Sequence, residues 1–501
     1  MEEKQKRRAG ILMPISALPS SYGIGDLGAG AYAFLDWLEK SGMKIWQVLP
    51  LLPTGFGDSP YQSFASNALN YYFIDFESLE KDGLLEKSDY ADIVFSTDET
   101  RVDYGRQFQH KIPILRKAFA RFNKADEKWQ SFLKNATFFD FALFMSLKVR
   151  FHYASWDCWP LPFQNADSEE VKEHVNTYQA EIEFWQFTQY IFLNQWKQLL
   201  SYAHKKGIKI MGDMPIYVAY DSVETWKYRE RLFMTDEKGS VSLRAGVPPD
   251  AFSEDGQFWG NPVYDWAKNK AENYAWWNKR FQDAFTLFDI VRIDHFRAFD
   301  RFYAIPCGAK TAKEGEWMDG PKASVFAGAK NKEIIAEDLG VRDDGVRALL
   351  RETGYPGMKV FVFAFDGNPD NEYLPDKYPK NCVVYTGTHD NAPLSAFIES
   401  LSKDERKSFE IELEKQCLKA DVPYLTETLE DECESVIRLL FSTDADTVIV
   451  PMQDVLALGE ESRFNAPSTV TDKNWTYRFT KKQLKNRKAS WLKSMTEEYH
   501  R

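Results

Sequence analysis

Two rhythms of apolar and polar positions alternate along this chain. Short apolar runs of strand length recur, and between them apolar residues fall at helical spacing. The runs are Gly10 to Ile15, Ile45 to Leu49, Ile208 to Met211, Ile290 to Ile293, Ile334 to Ala336, Lys359 to Phe365, Cys382 to Tyr385 and Thr447 to Val450. Ala31, Phe34, Leu35 and Leu38 mark an amphipathic helix between the first two. Phe138 to Val149 reads as another helix, as do Arg342 to Arg351 and the segment carrying Phe184, Phe187, Ile191 and Phe192. Strands alternating with helices predict an α/β chain with a mostly parallel sheet. Eight such units suggest a (β/α)8 TIM barrel, with an open doubly wound sheet as the alternative.

Two stretches break the rhythm. Residues 77–190 are mostly charged and helical in period, which predicts a helical insertion subdomain. Residues 215–275 are rich in Gly, Pro and Trp, which predicts a loop-rich insertion covering a cleft. The stretch from Lys481 on reads as a polar helix capping the barrel, so residues 1–501 are expected to form one barrel domain.

The run at Ile290 is interrupted by Arg292 and ended by Asp294. Side chains alternate along a strand, so these two share a face. A buried arginine is costly unless paired, and a carboxylate held beside it stays ionised, as a nucleophile must. A structural salt bridge is the plain alternative. Three other runs also lead into acidic residues, Asp213, Glu337 and Asp390, with His295 and His389 beside two of the four ends. In a barrel, strand ends of one polarity converge on the active-site face. Paired carboxylates there suit retaining glycoside chemistry, in which one attacks the anomeric carbon and the other protonates the leaving oxygen. Histidine and aspartate at strand ends also suit a divalent metal, but only His295 and His389 are so placed.

Composition narrows the partners. The net charge is −12, which argues against a general nucleic-acid binder. No apolar run approaches the ~20 residues of a membrane span. Met1 to Gly10 is charged, with no apolar segment behind it to make a secretory signal. The five scattered cysteines lack a C-x-x-C pair, so a reducing cytoplasm is expected. The 15 Trp and 24 Tyr exceed what a core needs and suit hydroxylated ligands whose C–H faces stack on rings.

Eight motifs then fall in one order. They are Tyr22-Gly23-Ile24-Gly25-Asp26-Leu27-Gly28, Gly57-Asp58-Ser59-Pro60-Tyr61-Gln62, Gly212-Asp213-Met214-Pro215-Ile216-Tyr217-Val218 and Gly246-Val247-Pro248-Pro249-Asp250. Gly256-Gln257-Phe258-Trp259-Gly260-Asn261-Pro262, Arg292-Ile293-Asp294-His295-Phe296-Arg297, Ala336-Glu337-Asp338-Leu339-Gly340 and Gly387-Thr388-His389-Asp390-Asn391 complete the set. In these motifs the chain resembles the 4-α-glucanotransferases of the amylomaltase, or disproportionating enzyme, type, glycoside hydrolase family 77. A weaker match continues in Arg463-Phe464-Asn465 and Asn474-Trp475.

The resemblance implies that Asp294 is the nucleophile, Glu337 the general acid/base and Asp390 the residue that binds the distorted sugar and stabilises the oxocarbenium-like transition state. It implies that Arg292 pairs with Asp294, that Asp213 and His389 hold donor-sugar hydroxyls, and that Tyr61 stacks beneath that sugar, with Ser59 nearby. Asp250, Gln257 and Trp259 are then expected to line the acceptor side; for Trp259 and Tyr61 the alternative is core packing. The implied partners are maltooligosaccharides and α-1,4-glucans, as donor and acceptor, and no cofactor or metal is implied. The chain departs from the family pattern at Met13, Ala298, Ala392, Pro393, Phe464, Ser468 and Lys473. Those changes touch the donor-side loops, and the carboxylates are intact. An α-glucan hydrolase with water as acceptor and a non-catalytic glucan-binding protein are the competing functions.

Overall fold

The computed structural model describes residues 7–134, 136–249, 254–340, 343–485 and 488–501. Its strands, in chain order, are β1 (Arg8–Leu12), β2 (Ile45–Gln47), β3 (Lys209–Met214), β4 (Leu243–Val247), β5 (Gln257–Pro262) and β6 (Ile290–Ile293). β7 (Arg301–Pro306), β8 (Glu316–Asp319), β9 (Glu333–Ala336), β10 (Gly357–Val360), β11 (Cys382–Tyr385) and β12 (Thr447–Pro451) follow. Eight of them form one sheet in the order β10-β11-β12-β1-β2-β3-β6-β9, and each neighbouring pair is parallel. At the open edge Ala336 N–H donates to the Pro356 carbonyl at 2.9 Å, and Met358 N–H donates to Asp338 Oδ1 at 2.7 Å. These bonds bring β9 beside β10 and close the (β/α)8 barrel.

All eight apolar runs of the sequence are barrel strands. They read as continuous rather than alternating because β2, β6, β11 and β12 are buried at every residue, as expected of a parallel sheet covered on both faces. Between β1 and β2, the Ala29–Lys40 helix buries Ala31, Phe34, Leu35, Trp37 and Leu38 against the barrel. Two boundaries differ from expectation. The first strand ends at Leu12, before Pro14, whose ring removes a ladder donor. The run at Lys359 leaves strand geometry at Phe361 and coils into a short 3₁₀ turn, Phe361–Phe363. Phe361 and Phe365, four residues apart, meet at 4.9 Å, and Phe365 packs at 4.6 Å on Phe409 of an outer helix.

Between β2 and β3 the chain is helical. The Phe139–Arg150 helix is buried nearly all round and packs on the long Gln179–Lys205 helix, which leads into β3. The buried Lys148 on the first of these forms an ion pair with Asp221, beyond β3, at 2.5 Å. The segment after β3 is less loop-like than its composition suggests. β4 and β5 pair antiparallel and join β7 and β8 in a second sheet, ordered β5-β4-β7-β8. β5 is an edge strand ending at Pro262, where a missing N–H costs no ladder bond. The last described helix, Lys488–Glu498, is amphipathic rather than wholly polar: it buries Ala489, Leu492 and Met495. No helix among the described residues is long and apolar enough to cross a membrane.

Gly212, in β3, shows how tightly the barrel wall is packed. A Cβ there would lie 2.3 Å from the Phe288 ring. Gly212→Ala is therefore expected to destabilise the fold by about 1–3 kcal/mol, the usual cost of overpacking. A lower midpoint in urea or thermal unfolding checks this; an unchanged midpoint contradicts it.

Candidate active site

The strand ends converge as the barrel requires, and Arg292 lies at their centre. Asp213 on β3 is in register with Arg292 on β6. Arg292 Nη1 donates to both Asp213 oxygens, at 2.8 and 2.7 Å, and its Nη2 lies 3.1 Å from Asp294 Oδ1. The expected Arg292–Asp294 pair is present, and Asp213 is a second partner, from the adjacent strand. The Arg292 side chain is 4% exposed and that of Asp294 31%, so the cation is buried while the carboxylate reaches the cleft.

Tyr61 extends the network. Its hydroxyl donates to Asp213 Oδ2 at 2.7 Å and lies 2.9 Å from His389 Nε2, an arrangement in which His389 donates. The two rings stack at 5.3 Å and 12°, with Trp475 5.6 Å from Tyr61. Burial holds the His389 imidazole below its usual pKa, against the pull of Asp390, so a neutral ring protonated at Nε2 fits these bonds.

Glu337 follows β9, the neighbour of β6. Its Oε2 accepts from His295 N–H at 2.7 Å, and its Oε1 accepts from Leu339 N–H at 2.9 Å. Asp390 follows β11 and is held from the C-terminal segment: Asn465 Nδ2 donates to its Oδ1 at 2.7 Å, and Arg463 Nη2 to its carbonyl at 2.9 Å. The buried Asp454, at the end of β12, braces the same loop by accepting from Thr386 Oγ1 and Leu394 N–H.

A cleft of ≈ 690 Å³ opens over these groups. Ser59, Tyr61, Gln257, Trp259, Asp294, His389 and Asp390 line it, Asp213 and Arg292 are buried behind its wall, and Glu337 is half-buried beside them. The Asp213 carboxylate thus serves Arg292 and Tyr61 instead of facing the cleft. Gln257 and Trp259 project from β5, two residues apart on one face, and Trp259 Nε1 donates to Gln257 Oε1 at 3.0 Å. Trp259 is on a strand, not a loop; it is half-buried, packing on the edge of the core while it lines the cleft. Asp250 lies outside the described residues. Residue-type reasoning left several cleft residues unassigned, Tyr217, Asn465 and Trp475 among them. All three lie inside matched motifs, which was the available signal. Among the described residues, no group of three or more His, Cys, Asp or Glu is arranged to hold a metal ion.

Burial pushes the carboxyls of both Asp294 and Glu337 up; Arg292 opposes this for each, and the neighbouring acids reinforce it. The two carboxyls titrate as a pair, and the guanidinium in contact with Asp294 favours ionisation there over Glu337.

The comparisons agree with this geometry. The family model described as 4-alpha-glucanotransferase, glycoside hydrolase family 77, matches residues 13–484. The chain belongs to that family. It is 42% identical over 496 residues to the 4-alpha-glucanotransferase of Clostridium butyricum, covering 98% of this chain and 100% of that one. It is 39% identical over 508 residues to that of Streptococcus pneumoniae serotype 4, covering 99% and 98%. Among solved structures it superposes on an amylomaltase from Streptococcus agalactiae in complex with acarbose with a TM-score of 0.93, at 38% identity, over 99% of this chain and 100% of that one.

The electrostatics of the enzyme give a signed expectation. In Arg292→Lys the charge stays but the fork contacting both carboxylates is lost. Burial and Asp213 then act on Asp294 with less opposition, so its pKa rises. With Asp294 as the nucleophile expected from the motifs, the acid limb of the pH–rate profile should move up by about 1 unit or more. Cleavage of α-glucosyl fluoride across pH measures it; a limb that stays in place contradicts this assignment.

Proposed function

We propose that the enzyme moves α-1,4-glucan segments from a donor to the 4-hydroxyl of an acceptor glucan or glucose by retaining double displacement. The observation that carries this is the unequal treatment of two carboxyls on adjacent strands. Asp294 has a guanidinium beside it, and Glu337 has only backbone amides. Adjacent strands lie about 4.8 Å apart, close to the ~5–5.5 Å between carboxyls that retaining chemistry uses. Asp294 Oδ attacks C1 as Glu337 delivers its proton to the leaving glycosidic oxygen. The C1–O bond breaks, and a glycosyl ester on Asp294 forms. Glu337, now a carboxylate, takes the proton of the incoming 4-hydroxyl as that oxygen displaces Asp294.

The remaining residues take supporting parts. Asp390, fixed by Asn465, faces the cleft and offsets positive charge developing on the sugar ring. Tyr61 and His389 form the floor beneath that sugar, oriented by Asp213 from behind, with Ser59 at the rim. Gln257 and Trp259 form the acceptor wall. Residues 77–190 serve as a helical subdomain within one catalytic chain, and residues 215–275 as the cover of the cleft. None of the five cysteines forms a disulfide, which supports a cytoplasmic location.

Paired variants test the two carboxyl roles. Asp294→Asn should lose activity on both maltooligosaccharides and α-glucosyl fluoride while remaining folded, because an amide is a poor nucleophile. Glu337→Gln should lose activity on maltooligosaccharides but still cleave the fluoride, whose leaving group needs no proton, and azide should relieve the stall that follows. Equal loss on both substrates in Glu337→Gln counts against the assignment.

Incubation with maltotriose separates transfer from hydrolysis. Transfer conserves the number of reducing ends while glucose and a ladder of longer chains appear; hydrolysis raises the number with every cleavage. Conserved ends are expected, since the acceptor wall raises the effective concentration of a sugar hydroxyl over water. Trp259→Ala should raise the hydrolytic share about 2- to 10-fold, the worth of ~0.5–1.5 kcal/mol of aromatic contact. A steady rise of reducing ends in the unmodified enzyme, without longer products, leaves the hydrolase.

A further inference from the structure

The turn after β6 places more than Asp294. His295 has a φ of 51°, in the left-handed region that most side chains avoid and that Asn, Asp and His occupy most readily. A residue held there signals a constraint from its surroundings. The constraint is Glu337. Glu337 N–H donates to the Ile293 carbonyl at 3.0 Å, and Phe296 N–H donates to the Glu337 carbonyl at 2.9 Å. Between them, His295 N–H donates to Glu337 Oε2 at 2.7 Å. The left-handed residue turns two successive N–H groups toward Glu337, that of His295 to its carboxylate and that of Phe296 to its backbone carbonyl.

The His295 side chain does a second thing. Its ring lines the cleft and meets the Trp259 ring edge to face, with centroids 4.8 Å apart at 84°. Tyr217 stands behind, 6.4 Å away. Burial, with Arg297 nearby, pushes the imidazole down to about 3, so the ring is neutral and adds no charge beside the carboxyls. One residue therefore touches the group assigned as acid/base through its backbone and the acceptor wall through its ring.

We propose that His295 is a positioning residue that couples the acceptor wall to the acid/base: its left-handed N–H holds the Glu337 carboxyl, and its ring seats Trp259. This rests on Glu337 being the acid/base. Two separable consequences follow. The N–H favours the ionised form of Glu337. Losing its aim lets the Glu337 pKa climb, and the alkaline limb of kcat/KM, which requires protonated Glu337, moves to higher pH. Losing the ring unseats Trp259, which weakens the acceptor without moving that limb.

The test compares His295→Asn, His295→Gly, His295→Ala and His295→Val, with Glu337→Gln as control and folding checked by circular dichroism. kcat/KM on maltotriose is followed against pH, and KM for glucose as acceptor is measured with the hydrolytic share. Asn and Gly occupy positive φ readily, so those variants should keep the alkaline limb, yet raise the acceptor KM and the hydrolytic share several-fold. Val is excluded from that backbone, and the limb should move up by about 1 unit, the worth of one charge-assisted hydrogen bond. Should His295→Val not fold, His295→Ala carries the same arm with a smaller shift. The proposal is overturned by a limb unmoved in the folded Val or Ala variant, or by an acceptor KM unchanged in His295→Gly. Retained maltotriose activity in Glu337→Gln is a different failure, that of the acid/base assignment itself.

Discussion

A guanidinium buried at the mouth of the barrel has to be neutralised where it stands. Arg292 is almost wholly removed from water, and breaking such a pair by removing one partner costs about 3–5 kcal/mol. Asp213 meets this need from the adjacent strand, directly in register. Once Asp213 is committed to Arg292, its second oxygen receives Tyr61, and Tyr61 in turn meets His389. The ends of β3, β6 and β11, and the loop after β2, are thereby tied into one polar network. Asp294 is its exposed terminus, a carboxylate in the cleft with a cation at its back.

The other carboxyls are placed by different means. Among the described residues no cation touches Glu337; backbone amides of its own strand end and of the β6 turn hold it. Asp390 depends on the C-terminal segment, through Asn465 and Arg463. That segment departs from the family pattern at two places the structure explains. Phe464 is buried, against Tyr477 and Phe479. Ser468 has a φ of 63°, a left-handed conformation where a glycine is usual, and it lines the cleft. The backbone path of the donor-side rim is thus kept at some conformational cost. Lys473 is exposed, and nothing in the structure explains its choice.

Insertions supply what a bare barrel lacks. The second sheet holds β5 at its edge, and the alternation of that strand sets Gln257 and Trp259 side by side on the cleft wall. A strand holds those two side chains more firmly than a loop, which suits a site that must present a sugar hydroxyl ahead of water.

The barrel itself was written in the sequence. Its strands are largely buried on both faces, so they appear as near-continuous apolar runs, and the few polar interruptions, Arg292 among them, stand out. The shared face of Arg292 and Asp294 followed from alternation alone, and the three carboxylates from the motifs around them. Other features needed the fold. The second sheet was hidden because short strands broken by Gly and Pro carry no clear period. The Arg292–Asp213 pair spans 79 residues and the Asn465–Asp390 pair 75; such partners are chosen by strand register and chain path, which local pattern does not encode. The left-handed backbone of His295 likewise exists because Glu337 arrives beside it from another strand. Periodicity and side-chain chemistry are local properties and were legible in order along the chain. Which distant groups share a proton, a cation or a ring was decided only when the barrel closed.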